Sequence, residues 1–185
     1  MPTTIDTDKS ELFHLLKTQA FSFGKFILSS GKESNFYLDA RIVTLSAPGA
    51  YLTARVILDM VKDDSLDAIG GPTLGADPMV GALASLSHQA GRPMNTFIIR
   101  KQPKAHGKQQ QVEGPWLKEG GSVVIIDDVA TTGKAFVESI EVLQKMNINI
   151  KKAICVIDRN EGAREALAKY NVPLKSIFTI SEFLK

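Results

Sequence analysis

Hydrophobic positions along the chain recur at two spacings. Leu12, Leu15 and Leu16 fall at helical intervals behind Asp8 and Glu11, which are spaced as an N-cap and its reciprocal partner. Between residues 24 and 40, Gly24, Gly31 and the small residues Ser29 and Ser30 bracket two short runs, FIL and NFYLDA, and predict a hairpin. Pro48 suits the first turn of a helix reaching about Val61, with Leu52, Val56 and Met60 on one side. Asp77-Pro78 is expected to cap another helix, to about Gln89. A third is expected from Thr132 to Lys145, with Phe136, Ile140 and Leu143 on one face. Between them lie short apolar runs with strand character: DAIGG, TFII (96–99), SVVII (122–126), AICVI and LKSIF. A short helix is expected after Glu161.

Buried strands separated by helices of about a dozen residues indicate parallel βαβ units covered on both faces. The expected fold is therefore α/β, an open, mostly parallel twisted sheet flanked by helices. An N-terminal helix and hairpin (1–41) precede the α/β core (42–185), and no repeat or linker divides this single expected domain. Ligands of such sheets bind beyond the carboxyl ends of the strands. That rule points to residues 70–77, 100–113, 127–135 and 158–162.

Composition narrows the partners. The 22 basic and 20 acidic residues nearly cancel, so no global field favours nucleic acid or a membrane surface. No apolar run approaches the ~18–20 residues of a membrane span, and the N-terminus lacks the pattern of a secretory signal. A cytoplasmic protein is expected. Cys155 is the only cysteine, so an intramolecular disulfide and a cysteine-based zinc cluster are excluded. Its place within AICVI reads as a small buried hydrophobe.

The four strand-end segments carry the chemistry. Asp127 and Asp128 follow VVII, where adjacent carboxylates repel each other but suit a diol, since each accepts two hydrogen bonds. The next residues, VATTGKA, turn into a helix whose start offers free N–H groups and partial positive charge. Thr131 and Thr132 add hydroxyls, Gly133 permits close approach of a phosphate, and Lys134 adds a cation. A Walker A loop is excluded, because Asp128 and Ala135 stand where it needs Gly and Ser or Thr; G-x-G-x-x-G is absent after every strand. RKQPKAHGK (100–108) brings Arg100, Lys101, Lys104, His106 and Lys108 to the same sheet edge, suited to a polyphosphate leaving group. Arg159, within DRNEG, could pair with a carboxylate through two parallel bonds.

VVIIDDVATTGKA resembles the phosphoribosyl-diphosphate motif of type I phosphoribosyltransferases. The resemblance implies that Asp127 and Asp128 hold the ribose hydroxyls and that Val129, Ala130, Thr131, Thr132, Gly133, Lys134 and Ala135 surround the 5-phosphate. R-K-x-x-K-x-H-G resembles the mobile catalytic loop of orotate phosphoribosyltransferases. This implies that Arg100, Lys101, Lys104 and His106 meet the diphosphate, with Lys104 and His106 joining the two aspartates in catalysis. It also implies a homodimer in which the 100–113 loop reaches the neighbouring site. Residues 23–41 resemble that family's base-binding hood, which implies that Tyr37, Leu38, Thr131 and Arg159 contact orotate. Ser29 falls where some members carry a lysine. GGPTLGAD (70–77) resembles the loop that meets pyrophosphate through backbone amides, and Gly75 stands where some members carry a lysine; Asp77 is either a helix cap or a group acting through metal or water. Mg²⁺ is implied as cofactor, held mainly by substrate with Asp127 and Asp128 nearby and no assigned protein ligand. The implied reaction joins orotate to 5-phosphoribosyl 1-diphosphate. A purine-base transferase and a non-catalytic sensor of phosphoribosyl diphosphate are the alternatives.

Overall fold

The computed structural model describes residues 5–27, 33–102 and 111–184. Helix α1 (Ile5–Leu15) continues through a π-helical turn (Leu16–Ala20) into the antiparallel pair β1 (Phe21–Ile27) and β2 (Glu33–Leu38). There follow α2 (Arg41–Thr44), α3 (Ala47–Met60), β3 (Ala68–Pro72), α4 (Asp77–Gln89), β4 (Asn95–Ile99) and β5 (Val112–Glu113). The chain ends with β6 (Ser122–Ala130), α5 (Lys134–Gln144), β7 (Asn149–Asp158), α6 (Ala163–Ala168), β8 (Leu174–Thr179) and α7 (Ile180–Phe183). The larger sheet has the order β5-β4-β3-β6-β7-β8 and is parallel except for β5, which runs against β4. The α/β reading therefore holds.

Side chains alternate across a strand, so β6 feeds two cores. Val124 and Ile126 join a cluster with Leu12 of α1, Val56 and Ile57 of α3 and Leu83 of α4. Val123 and Ile125 join the opposite cluster with Phe136, Ile140 and Leu143 of α5 and Leu167 of α6. Each fully buried aliphatic side chain contributes about 1.5–3 kcal/mol. From β3 the chain steps outward to β4, whereas β6 leads the other way to β7 and β8. The order reverses between β3 and β6, which opens a crevice at their carboxyl ends.

Several local expectations change. Helix α1 begins before Asp8, which is buried and paired with Arg55 Nε of α3 at 2.6 Å rather than capping. Ser46 caps α3 by accepting from the Gly49 N–H at 3.1 Å, with Pro48 in the first turn as expected. Asp77 does not cap α4: it lies inside the first turn, and no side-chain bond caps that end. Strand β7 starts at Asn149, ahead of the apolar run, and Lys152 within it pairs with Asp64 at 2.6 Å. The two-residue β5 and the four-residue α7 are too short to show a period in sequence.

Candidate active site

The segment from Asp127 to Ala135 is built differently from its sequence outline. Strand β6 does not stop before the aspartates but runs through Ala130, with Asp127 opposite Cys155 and Ala130 opposite Asp158 of β7. The carboxylates are thereby fixed to a rigid ladder. The Asp127 Oδ1 accepts the Asp128 N–H at 2.9 Å, and the Asp128 Oδ1 accepts the Val129 N–H at 2.7 Å. Asp127 is only 8% exposed. Burial pushes its carboxyl well above the usual range, and the neighbouring Asp128 charge adds to the shift. Burial also raises Asp128, opposed by the Val129 N–H and by Arg41. Two carboxyls that resist ionising together form a site for hydroxyl donors or for an arriving cation.

After β6 the loop turns into α5 at Lys134, two residues later than expected. Gly133 occupies the capping position with φ of 81° in the left-handed region, and no side chain among the described residues caps this end. A Cβ at Gly133 would lie 2.9 Å from Leu167 Cδ1 and 3.0 Å from Ala163 Cα, so α6 also enforces glycine. The bare helix start presents unpaired N–H groups beside Thr131 and Thr132. Among the described residues Lys134 meets Glu138 alone, at 3.8 Å, and both are well exposed.

The crevice wall opposite the aspartates is the turn after β3. Its Thr73–Leu74 peptide is cis, and the turn is tied down by Thr73 N–H donating to Ile99 O and Ala76 N–H to Pro72 O. Gly75 packs directly on the acid pair: an added Cβ would collide with Asp127 Oδ1 and sit 2.6 Å from Asp128 Oδ1. A lysine at this position would need a displaced turn. Asp77 follows, with its Oδ1 buried and no hydrogen-bond partner among the described residues, and burial raises its carboxyl.

Cations approach from two directions. Arg100 and Lys101 share a cleft of about 670 Å³ with Pro72, Thr73, Lys134 and Ala135. The basic segment is carried on a β4–β5 ladder in which Ile98 pairs with Glu113 and Ile99 with Val112. Arg100 closes that stem, its N–H donating to Gln111 O at 2.8 Å and its Nη1 meeting Glu113 at 3.3 Å. Lys104, His106 and Lys108 lie outside the described residues. From the other side comes Arg41, which the sequence reading did not single out. Asp39 grips it through Nε (2.9 Å) and Nη2 (3.1 Å), and its Nε lies 4.0 Å from Asp128 Oδ2. The Asp39 carboxyl is held below the usual range by these bonds. The Asp-x-Arg spacing was the one local signal for the pair.

At the base side, Arg159 emerges from the end of β7, its N–H donating to Ala130 O at 2.9 Å. It pairs with Glu161 at 2.8 Å through Nε, and its guanidinium carbon lies 5.4 Å from the centre of the Phe36 ring. Tyr37 and Leu38 are neighbours in β2 and therefore point to opposite faces. Leu38 packs with Phe36 on the main core, whereas Tyr37 is exposed and stands beside Phe26, ring centres 5.8 Å apart. Of this strand, Phe36 meets Arg159, a contact that the sequence reading did not assign. Ser29 lies outside the described residues.

An acid pair on the central strand, a helix start beyond it and cations around both have the chemistry to take a sugar phosphate. In agreement, residues 50–183 match the family model of the phosphoribosyl transferase domain. The orotate phosphoribosyltransferase of Synechocystis sp. is 39% identical over 171 residues, covering 92% of this chain and 86% of that protein. The crystal structure of the Mycobacterium tuberculosis orotate phosphoribosyltransferase in complex with 5-phospho-α-D-ribosyl 1-diphosphate superposes with a TM-score of 0.80. It shares 28% identity, covering 96% of this chain and 99% of that one. The orotate phosphoribosyltransferase of Aeropyrum pernix, 34% identical, gives 0.76 over 94% of this chain and 95% of its own. The chain belongs to the orotate phosphoribosyltransferase family.

Proposed function

We propose that the protein transfers the 5-phosphoribosyl group from phosphoribosyl diphosphate to orotate, giving orotidine 5′-phosphate and pyrophosphate, a step of de novo pyrimidine synthesis in the cytoplasm. The observation that carries this reading is the convergence of Asp127 and Asp128, the start of α5 and Arg159 at the carboxyl ends of β6 and β7. The 5-phosphate suits the N–H groups, Thr131, Thr132 and Lys134 at that helix start. The ribose hydroxyls suit the two carboxylates, which lose their mutual repulsion when a cationic or hydrogen-bond-donating group arrives. The orotate carboxylate suits Arg159, with Thr131, Tyr37 and Leu38 as further contacts.

Substitution at the anomeric carbon builds positive charge on the ribose ring and negative charge on the departing pyrophosphate. Asp127 and Asp128 favour the first, and Arg100, Lys101, Lys104 and His106 the second, in a site whose groups are already positioned. Mg²⁺ bound to the diphosphate, with Asp127 and Asp128 nearby, would neutralise part of the charge on the leaving group. The acid pair at the end of β6 fits such an ion held mainly by the substrate. Ile42, Leu45 and Leu74 line one apolar hollow and are exposed, with Tyr51 on the adjoining helix. They support a homodimer, and the resemblance to the family adds that the 100–113 loop completes the neighbouring site. No described helix is long and apolar enough to cross a membrane.

The decisive experiment is loss of orotate absorbance on adding phosphoribosyl diphosphate and Mg²⁺, in competition with adenine and hypoxanthine. Consumption of a purine in preference to orotate refutes the base assignment; nucleic-acid binding without turnover refutes the enzyme. Lys104→Ala is expected to lower turnover by roughly 10²-fold, as for removal of a single transition-state donor.

A further inference from the structure

The arginine at the base side is held by more groups than the proposed reaction explains. Its backbone sits on a locked turn. Asp158, fully buried, accepts the Asn160 N–H at 2.9 Å on Oδ1 and pairs through Oδ2 with Arg164 Nε at 2.8 Å. Asn160 takes a left-handed φ of 55° within that turn. The Arg159 side chain is only 12% exposed. Glu161 accepts the Nε–H, and among the described residues the two terminal nitrogens meet no acceptor. That leaves the Nη1–Nη2 edge as a pair of parallel donors, the geometry that a planar carboxylate matches.

Rotation of the guanidinium about its long axis would spoil that match, and the Phe36 ring stands beside it, with the guanidinium carbon over the ring at 5.4 Å from its centre. Phe36 is itself anchored. Its ring stacks at 5.9 Å on Phe21, which stacks at 4.7 Å on Phe183 of α7, which stacks at 4.5 Å on Phe13 of α1. The row ties the hairpin, the first helix and the last helix to one side of the base site.

We propose that Phe36 is a positioning residue that makes Arg159 a receptor for a carboxylate-bearing base, with Glu161 selecting the guanidinium edge that is presented. The inference rests on the function proposed above and adds the source of its preference for a base with a carboxylate. The test compares orotate with uracil, the same ring without the carboxylate, as a competitive inhibitor. In Phe36→Leu the KM for orotate rises about tenfold while kcat, the KM for phosphoribosyl diphosphate and the Ki for uracil stay within about twofold. Phe36→Trp, which keeps an aromatic face, restores the orotate KM.

Equal rises in orotate KM and uracil Ki would overturn the proposal, because they mean that Phe36 only packs the hairpin. An unchanged orotate KM would overturn it as well. If Phe36→Leu does not fold, Glu161→Ala at its half-exposed site decides: a higher orotate KM with unchanged uracil Ki supports the assignment, and tighter orotate binding refutes it. Absence of orotate turnover in the unsubstituted chain removes the proposed function and this inference together, whereas turnover with undiscriminating shifts removes this inference alone.

Discussion

Replacing Gly75 by alanine places a methyl group against both carboxylates of the acid pair. The added carbon collides with Asp127 Oδ1 and lies 2.6 Å from Asp128 Oδ1 and 3.0 Å from Asp128 Cγ. These oxygens cannot swing away cheaply, since each accepts a backbone N–H of its own strand, at 2.9 and 2.7 Å. Nor can the turn retreat freely, because Thr73 and Ala76 are hydrogen-bonded to Ile99 and Pro72. Overpacking of this kind costs about 1–3 kcal/mol, which for a chain of this length lowers Tm by about 2–12 °C. A displacement of about 1 Å at the reacting centre costs roughly 10²-fold in rate. Thermal denaturation and steady-state kinetics with both substrates measure the two effects. Gly75→Lys is expected to lose at least as much as Gly75→Ala, since both carry the offending Cβ. Wild-type kcat/KM in Gly75→Ala would refute the steric argument, and higher activity in Gly75→Lys than in Gly75→Ala would show that the position lacks a cation rather than excluding a side chain.

Asp127→Asn should lose turnover yet melt higher than the parent at neutral pH without divalent ions. Burial raises the Asp127 carboxyl in the folded chain, so the stability of the protonated form is lost as pH rises through the folded value. The gain in Tm therefore grows from acid to neutral pH, and a gain independent of pH would contradict the coupling. Arg55→Met leaves the buried Asp8 carboxylate without its 2.6 Å partner and should cost about 3–5 kcal/mol in denaturant unfolding; a loss below about 1 kcal/mol would show that water relieves Asp8. Cys155 is fully buried and its thiol is pushed far above the ordinary value, so it should resist alkylation in the native protein and react only after unfolding. Rapid native labelling would refute that placement.

The period of its apolar residues determined that this chain is a parallel α/β sheet, and the strand-end rule drew attention to the segments around Asp127, Arg100, Arg159 and Gly75. Those inferences needed only local spacing and residue chemistry. Strand ends were less legible: β6 extends through two acids and β7 begins with polar residues because ladder partners, not apolarity, decide where pairing stops. Asp8 and Asp77 read as caps in sequence, yet the first pairs with a residue 47 positions away and the second has no capping bond. Only the tertiary structure could place Arg41 beside Asp128, Phe36 against Arg159 and Gly75 on the acid pair, since each contact joins elements distant along the chain. The sequence alone thus determined which residues have chemistry to offer. Tertiary packing decided which of them face one another, because direction and register follow from how the sheet, hairpin and helices close on a common core.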